Sequence, residues 1–401
     1  MFENYAKLLI QVGLHVKRNQ IVVIQAPVEV YSFVEALSQE AFRAGAKDVI
    51  VRYRDEIISH HRYLYADDVE KVPSYVSDLY NQTAKKGACY LYLVGDDPNL
   101  MKDVDPKKFT NYRKAFRKDT AFYRHQLDFM HCQWCVAAVA TRSWSKQIYG
   151  HEDTHRLWQD ILRICHVDEK DPVDTWEKRK QQFEKRVDWI NSLELRSLHY
   201  RNHLGTDLMV ELPEHYRFAG GNSLLIDGTS YFANIPTEEI FAAPLKKGIQ
   251  GKLVASMPLS HQGTLIKDFW FQFKDGKVID FDAKEGKQVL AEILSTDAGS
   301  SYIGEIALVP YDSPISNYHQ IFYETLIDEN ASCHFAFGQS YPECIEKGLS
   351  MTSEELKEHG LNQSNIHVDF MVGTKDLQIE GKTRKGEEIT IFQNGNFPWF
   401  D

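Results

Sequence analysis

Glu305 stands inside an apolar run, GEIALVP at 304–310, and His367 and Asp369 stand two apart among Ile366, Val368 and Phe370. An ionised carboxylate is rarely buried unless it is paired or bound to a metal. On a strand, His367 and Asp369 would point to the same face. A third segment, ETLIDENASCHFAFGQSY at 324–341, places Glu329 five residues before His334. A fourth, IPTEEIF at 235–241, has the same mixture of acid and apolar residues. Taken singly, each residue has a plainer reading: a histidine satisfied within a core, or a glutamate paired with an arginine. The shared character of the four segments favours metal ligation, although no compact motif such as H-E-x-x-H is present.

The set Glu239, Glu305, Glu329, His334, His367 and Asp369 mixes imidazole with carboxylate. Such ligation suits zinc, cobalt or manganese better than calcium, which prefers oxygen alone. One catalytic zinc needs three protein ligands and an open position, so six candidates exceed its needs. Two ions sharing a bridging carboxylate use the set more naturally. Such ions, about 3.5–4 Å apart, activate a water and stabilise the charge that develops on an attacked carbonyl. Tyr341, seven residues after His334, could donate a hydrogen bond to that oxyanion. A core tyrosine accounts for the spacing equally well.

The elements that must position these residues fall into two kinds. Residues 3–16 have helical periodicity, with Tyr5, Leu8, Leu9, Val12 and Leu14 to one side. Ile21–Ile24 and Asp48–Val51 read as strands around a helix from Tyr31 to Ala44, with Gly45 as its C-cap. Strand, helix, strand with short connections is a βαβ unit and implies a parallel pair. Ala88–Val94 and Trp134–Thr141 are further strand candidates, so residues 1–193 are expected to form an α/β domain with a parallel sheet. The turn after Ile24 is Gln25-Ala26-Pro27, without the glycines that let a backbone cradle phosphate, so a dinucleotide site is not expected. A scaffolding or dimer role is the expectation for that half. His60, His61, His125 and His131 show no carboxylate at a recognisable spacing and read as surface or packing residues.

The charged stretch 171–193 carries one apolar stripe, Trp176, Phe183, Val187 and Ile190, and reads as a solvated amphipathic helix at the domain boundary. Beyond it, residues 194–401 are expected to form a mainly antiparallel β catalytic domain with a few helices, an α+β arrangement. Asp207–Leu212 and Leu265–Phe273 alternate, and Lys274-Asp275-Gly276-Lys277 makes a hairpin turn. Gly220-Gly221, Asp227-Gly228, Ile379-Glu380-Gly381 and Arg384-Lys385-Gly386 read as turns. Gly286–Leu294 and Ser353–His359 read as helices, the latter capped by Thr352 or Ser353.

Over 401 residues the formal net charge is -11, which argues against a nucleic-acid binder, since phosphate contact needs a basic surface. Hydrophobic residues at 43% supply ample core. The six cysteines hold one C-x-x-C, Cys132 and Cys135, with no second pair for a structural zinc. That usage suits a reducing cytoplasm. The opening MFENYAKLLIQVGLHV reads as an amphipathic helix, not a signal peptide, and no apolar run could span a bilayer.

NIPTEEIFAAP at 234–244, GEIALVP at 304–310, DENASCHFAFG at 328–338 and HVDFMVG at 367–373 resemble the signature segments of the M29 metallo-aminopeptidases, the aminopeptidase T, aminopeptidase S and PepS group. The likeness runs through NYAKLLIQVGLHV, DPVDTWEKR and FQNGNF as well, and so covers nearly the whole chain. It implies a cytoplasmic, homodimeric exopeptidase that uses two divalent ions, cobalt, zinc or manganese, to remove N-terminal residues from peptides. Carried across, Glu239, Glu305, His334, His367 and Asp369 match the metal ligands, and Glu329 falls where a further one is expected. Glu305 matches the bridging or acid–base carboxylate and Tyr341 the catalytic tyrosine. Glu239 is preferred to Glu238 on an ungapped match. The competing readings are another dinuclear hydrolase, such as an amidase or phosphoesterase, and a noncatalytic metal-binding protein.

Overall fold

The computed structural model describes residues 2–261 and 263–399. The chain divides into two compact units: residues up to Lys180 together with Asn222–Pro236, and Gln181–Gly221 together with the chain from Thr237 onward.

The first unit is built on a wholly parallel sheet. Its strands are β1 (Ile21–Pro27), β2 (Asp48–Arg54), β3 (Cys89–Val94), β4 (Trp134–Ala138) and a short strand Asn234–Ile235. Their order across the sheet is Asn234–Ile235, β4, β3, β1, β2. The βαβ expectation for β1, helix Tyr31–Arg43 and β2 therefore holds. Gly45 is left-handed, with φ +93°, as the residue after a helix often must be. The N-terminal helix Phe2–Leu8 continues as one π turn to Gly13, and His15 is left-handed, which ends it before the expected residue 16. Strand residues 234–235 were not expected in this sheet; two residues are too few to show a period in the sequence. His60 proves to have a carboxylate partner, Asp103, at 2.7 Å, across a sequence separation that no local spacing reveals.

The second unit is antiparallel. An eight-stranded sheet contains the long hairpin Thr264–Lys274 and Lys277–Glu285, turned at Asp275-Gly276 as expected. A second sheet runs in the order His367–Met371, His334–Gly338, Ile303–Leu308, Ile240–Ala242, Ala219–Gly220. Helix Ser353–Glu358 begins with a capping box, in which Thr352 and Glu355 satisfy each other's backbone N–H. One expected turn is absent: 379–381 lies within strand Gln378–Thr383. Gly381 allows close packing there: a Cβ on it would sit 2.7 Å from Leu195 Cδ2 and 3.1 Å from Ile391. Glycine therefore marked packing at this point and not a bend.

The two faces of the five-stranded sheet differ sharply. Ile306, Leu308, Phe335, Phe337, Val368 and Phe370 alternate onto one face and are all buried. Phe337 and Phe370 stack with centroids 5.1 Å apart, and both meet Phe271 of the larger sheet, at 4.8 and 5.2 Å. Truncating one of these rings would cost about 3–5 kcal/mol. The alternate residues Glu305, Ala307, His334, Ala336, Gly338, His367, Asp369 and Met371 take the opposite face.

Candidate metal centre

Antiparallel register brings this second set together. Ala336 lies opposite Glu305 on one side and Asp369 on the other, and Gly338 lies opposite His367. The small residues in the middle strand leave room between the acids. Gly338 is left-handed (φ +102°), and a Cβ there would sit 2.1 Å from the Ile366 carbonyl oxygen. On the next strand Phe241 pairs with Ala307, so Phe241 shares the acidic face, and by strand parity so does Glu239 two residues earlier.

Two triads result. Glu239, Glu305 and His334 offer ligand atoms that all lie within 4.8 Å of one another, and so do Glu305, His367 and Asp369. Glu305 belongs to both. Its Oε1 is 3.6 Å from His334 Nε2 and its Oε2 is 3.5 Å from His367 Nε2. His334 Nε2 is also 3.1 Å from Glu239 Oε2, and His367 Nε2 is 3.4 Å from Asp369 Oδ1.

The backbone fixes both rings. His334 Nδ1 faces the Ser332 carbonyl at 3.2 Å, and His367 Nδ1 faces the Gln339 carbonyl at 2.9 Å. A carbonyl can only accept, so each Nδ1 carries the proton and each Nε2 turns toward the carboxylates. Glu239 Oε2 is buried and makes no hydrogen bond among the described residues, because the nearby His334 ring does not donate along that line.

Electrostatics mark the cluster as overcharged. Burial raises the Glu305 carboxyl, against the pull of His334 and His367. Burial, then Asp369 and Glu239, push Glu329 well up. Burial would lower His334, but the adjoining Glu239 and Glu305 carry it well above the usual imidazole range. His367 is likewise lowered by burial and then carried up to about 9 by Asp369 and Glu305. Asp369, raised by burial, ends below its usual value because His367 and His334 face it. Four carboxyls and two imidazoles so crowded relieve their charge by holding protons, which a bound cation would displace.

Of the residues singled out in the sequence, Glu239, Glu305, His334, His367 and Asp369 thus converge. Glu329 lies outside both triads, yet close enough to feel Asp369 and Glu239. Glu238 is buried and belongs to neither triad; its backbone N–H donates to Asn330 Oδ1 at 2.8 Å. Tyr341 is 41% exposed, with its ring 5.0 Å from that of His367 and 6.0 Å from Phe241. Its hydroxyl makes no hydrogen bond among the described residues. Sequence reasoning missed Asn330, which is wholly buried and holds the turn that carries Glu239. It also missed Glu343, pushed up to about 7 by burial and then by Glu305. Asn330 lies within the same DENAS segment as Glu329, but an asparagine offers no charge to draw notice.

A buried cluster of acids and imidazoles on the floor of an antiparallel sheet places the chain among metal-dependent hydrolases. Residues 1–397 match the family described as thermophilic metalloprotease (M29), and the chain belongs to that family. It is 38% identical over 399 residues to aminopeptidase AmpS of Bacillus subtilis, covering 98% of this chain and 97% of that one. It is 35% identical to aminopeptidase 2 of Geobacillus stearothermophilus, with the same coverage. The solved structure of wild-type AmpT from Thermus thermophilus superimposes with a TM-score of 0.92 at 30% identity, covering 99% of this chain and 98% of that one. Both the parallel sheet of the first unit and the antiparallel sheets of the second agree with the fold expected from the sequence.

Proposed function

We propose that the chain is an aminopeptidase that hydrolyses the first peptide bond of peptides with a free N-terminus, using two divalent ions. The observation that supports this most directly is Glu305, whose two oxygens face two different imidazoles in two triads. Glu239 and His334 would hold one ion, His367 and Asp369 the other, with Glu305 shared. Glu329 would complete the shell from its position beside Asp369 and Glu239. The unbonded, buried Glu239 Oε2 fits an ion better than it fits a finished core. Zinc, cobalt and manganese all accept this mixture of nitrogen and oxygen donors.

When bound, the ions would polarise the scissile carbonyl and lower the pKa of a water. The chain's own residues do the rest. A carboxylate of the cluster would take a proton from that water and pass it to the leaving amine. The Tyr341 ring lies 5.0 Å from that of His367 and its hydroxyl makes no hydrogen bond among the described residues, which suits it to donate to the developing oxyanion. The Ser332 and Gln339 carbonyls hold the two imidazoles in the productive tautomer.

No helix among the described residues is long and apolar enough to cross a membrane. All six cysteines are free and buried, which suits a reducing cytoplasm. Exposed apolar residues such as Ile58 (68%) and Tyr65 (78%) on helix Glu56–Tyr65 suit burial against a second copy in a homodimer.

The test is a metal-stripped protein assayed on aminoacyl amides, free and N-acetylated, with cobalt, zinc or manganese returned separately. Turnover restored by metal and confined to free amino termini is expected. Equal turnover of the acetylated substrates would instead identify a general amidase, and none under any metal would leave a noncatalytic binder.

A further inference from the structure

The first unit holds a cavity of about 490 Å³ that the proposed chemistry does not use. Its place follows from the topology. The connection from β1 leads to β2 on one side, whereas β3 and β4 lie on the other, so the strand order reverses between β1 and β3. Crevices outside the carboxyl ends of strands at such a reversal are where open parallel sheets bind ligands. The cavity is lined by residues of the segments that follow those ends: Glu29 after β1, Glu56 after β2, Asp97 and Asn99 after β3, and Arg142, Lys146 and Glu152 after β4.

The walls are tied together before any ligand arrives. Glu56 accepts from the Asp97 backbone N–H through Oε2 and from the Ser143 hydroxyl through Oε1, both at 2.7 Å. Asn99 donates to Gln147, which joins the loop after β3 to helix Arg142–Tyr149. Asp97 Oδ1 accepts from the Asn99 N–H at 2.8 Å, and neither Asp97 nor Lys146 has an ion-pair partner among the described residues.

Which ligand class fits? Acids on the loops after β1, β2 and β3 repel phosphate, and no glycine opens the backbone after β1. The same acids are not gathered into a cation cage: among the described residues, groups able to hold a metal occur only around Glu305. What remains is a crevice of mixed charge: Glu29 accepts from the Arg142 N–H at 3.2 Å and lies 3.7 Å from its guanidinium Nε, Glu56 is bonded to the walls, and Asp97 and Lys146 are the acid and base left to meet a ligand. We infer that this crevice binds a small zwitterion, a free amino acid or very short peptide, with its ammonium on Asp97 and its carboxylate on Lys146. The ligand class is read from the crevice alone and does not depend on the peptidase reading.

The experiment is photo-crosslinking of the metal-loaded, full-length protein with the diazirine analogue of L-leucine, mapped by peptide mass spectrometry. Labelling is expected within 27–31, 95–99 and 142–152, and excess L-leucine should suppress it. N-Acetyl-L-leucine, which lacks the ammonium, and L-leucinamide, which lacks the carboxylate, should not. Lys146→Glu at an exposed position and the near-isosteric Asp97→Asn should each cut this labelling at least tenfold, and Glu305→Gln should leave it unchanged. Labelling confined to peptides around 239, 305, 334 and 367, or labelling at 142–152 that survives L-leucine and both crevice variants, would overturn the inference.

Discussion

Glu305→Gln separates a metal centre from a structural ion pair, because only a metal centre makes the protein's stability depend on added metal and on this carboxylate together. If Glu305 merely neutralised His334 and His367, its removal would leave buried imidazolium without a partner and cost about 3–5 kcal/mol. The cluster, however, holds Glu239, Glu329 and Asp369 as well, so two imidazoles keep carboxylate partners after the change. The metal-free variant should therefore lie within about 1 kcal/mol of the metal-free parent. Added metal then distinguishes them. Two ions at a hundredfold excess over their dissociation constants stabilise the parent by about 2.7 kcal/mol each, together about 5 kcal/mol. For a unit of this size that is a rise of roughly 10–20 °C in Tm. The variant has lost the carboxylate common to both triads and should gain half of this or less, with turnover abolished. Calorimetry of both proteins, chelator-stripped and then titrated with cobalt or zinc, reads all of these quantities. A stripped variant destabilised by several kcal/mol, or one that keeps the full metal-dependent rise, would refute the shared-ligand assignment.

Tyr341→Phe should lower kcat by about 10²–10³ while leaving the metal-dependent rise in Tm intact, as loss of one oxyanion donor does. Steady-state kinetics beside calorimetry would show the split. Gly338→Ala should destabilise by about 2–4 kcal/mol in urea melts, since φ +102° disfavours any Cβ and the Ile366 carbonyl oxygen lies 2.1 Å from where it would be. Asp297 is raised by burial but held below its usual value by the Asn365 N–H, the Ser364 hydroxyl and the Gly299 N–H, so it anchors the segment leading to His367. A carboxyl with a depressed folded pKa contributes stability above the unfolded value and loses it as pH falls through the folded one. Asp297→Asn should thus cost about 1–3 kcal/mol at pH 7, with the difference from the parent narrowing only as pH falls below about 4.

Much of the second unit's site was legible because its carboxylates and histidines sit at strand spacing in apolar runs. His367 and Asp369 announce a shared face by parity, and Glu305 is conspicuous as the charge in GEIALVP. Glu329 was less legible: it lies in a 3₁₀ turn, where no two-residue period indicates which way a side chain points. Asn330 escaped because its role is a hydrogen bond to a backbone N–H ninety-two residues away in sequence. His60 and Asp103 escaped for the same reason. The crevice in the first unit was invisible because its lining comes from four separate segments, each following a different strand. Only the strand order, which sequence patterning does not determine, brings Glu29, Asp97 and Lys146 to one place.

The middle strand, His334–Gly338, shows why neither face of this sheet can be understood alone. On one face Phe335 and Phe337 pack against Phe370 and must be large. On the other, Ala336 and Gly338 must be small, because the side chains of Glu305, His367 and Asp369 lean across them. A one-residue slip of register would turn phenylalanine toward the carboxylates and alanine toward the core. The apolar face therefore does more than stabilise the unit. Its fit with Phe271 locks the register, and the register sets the 3.5 Å and 3.6 Å approaches of the two imidazoles to Glu305. Substitutions at Phe335 or Phe337 should accordingly impair metal binding before they unfold the unit, since small shifts of a strand suffice to spoil ligand geometry.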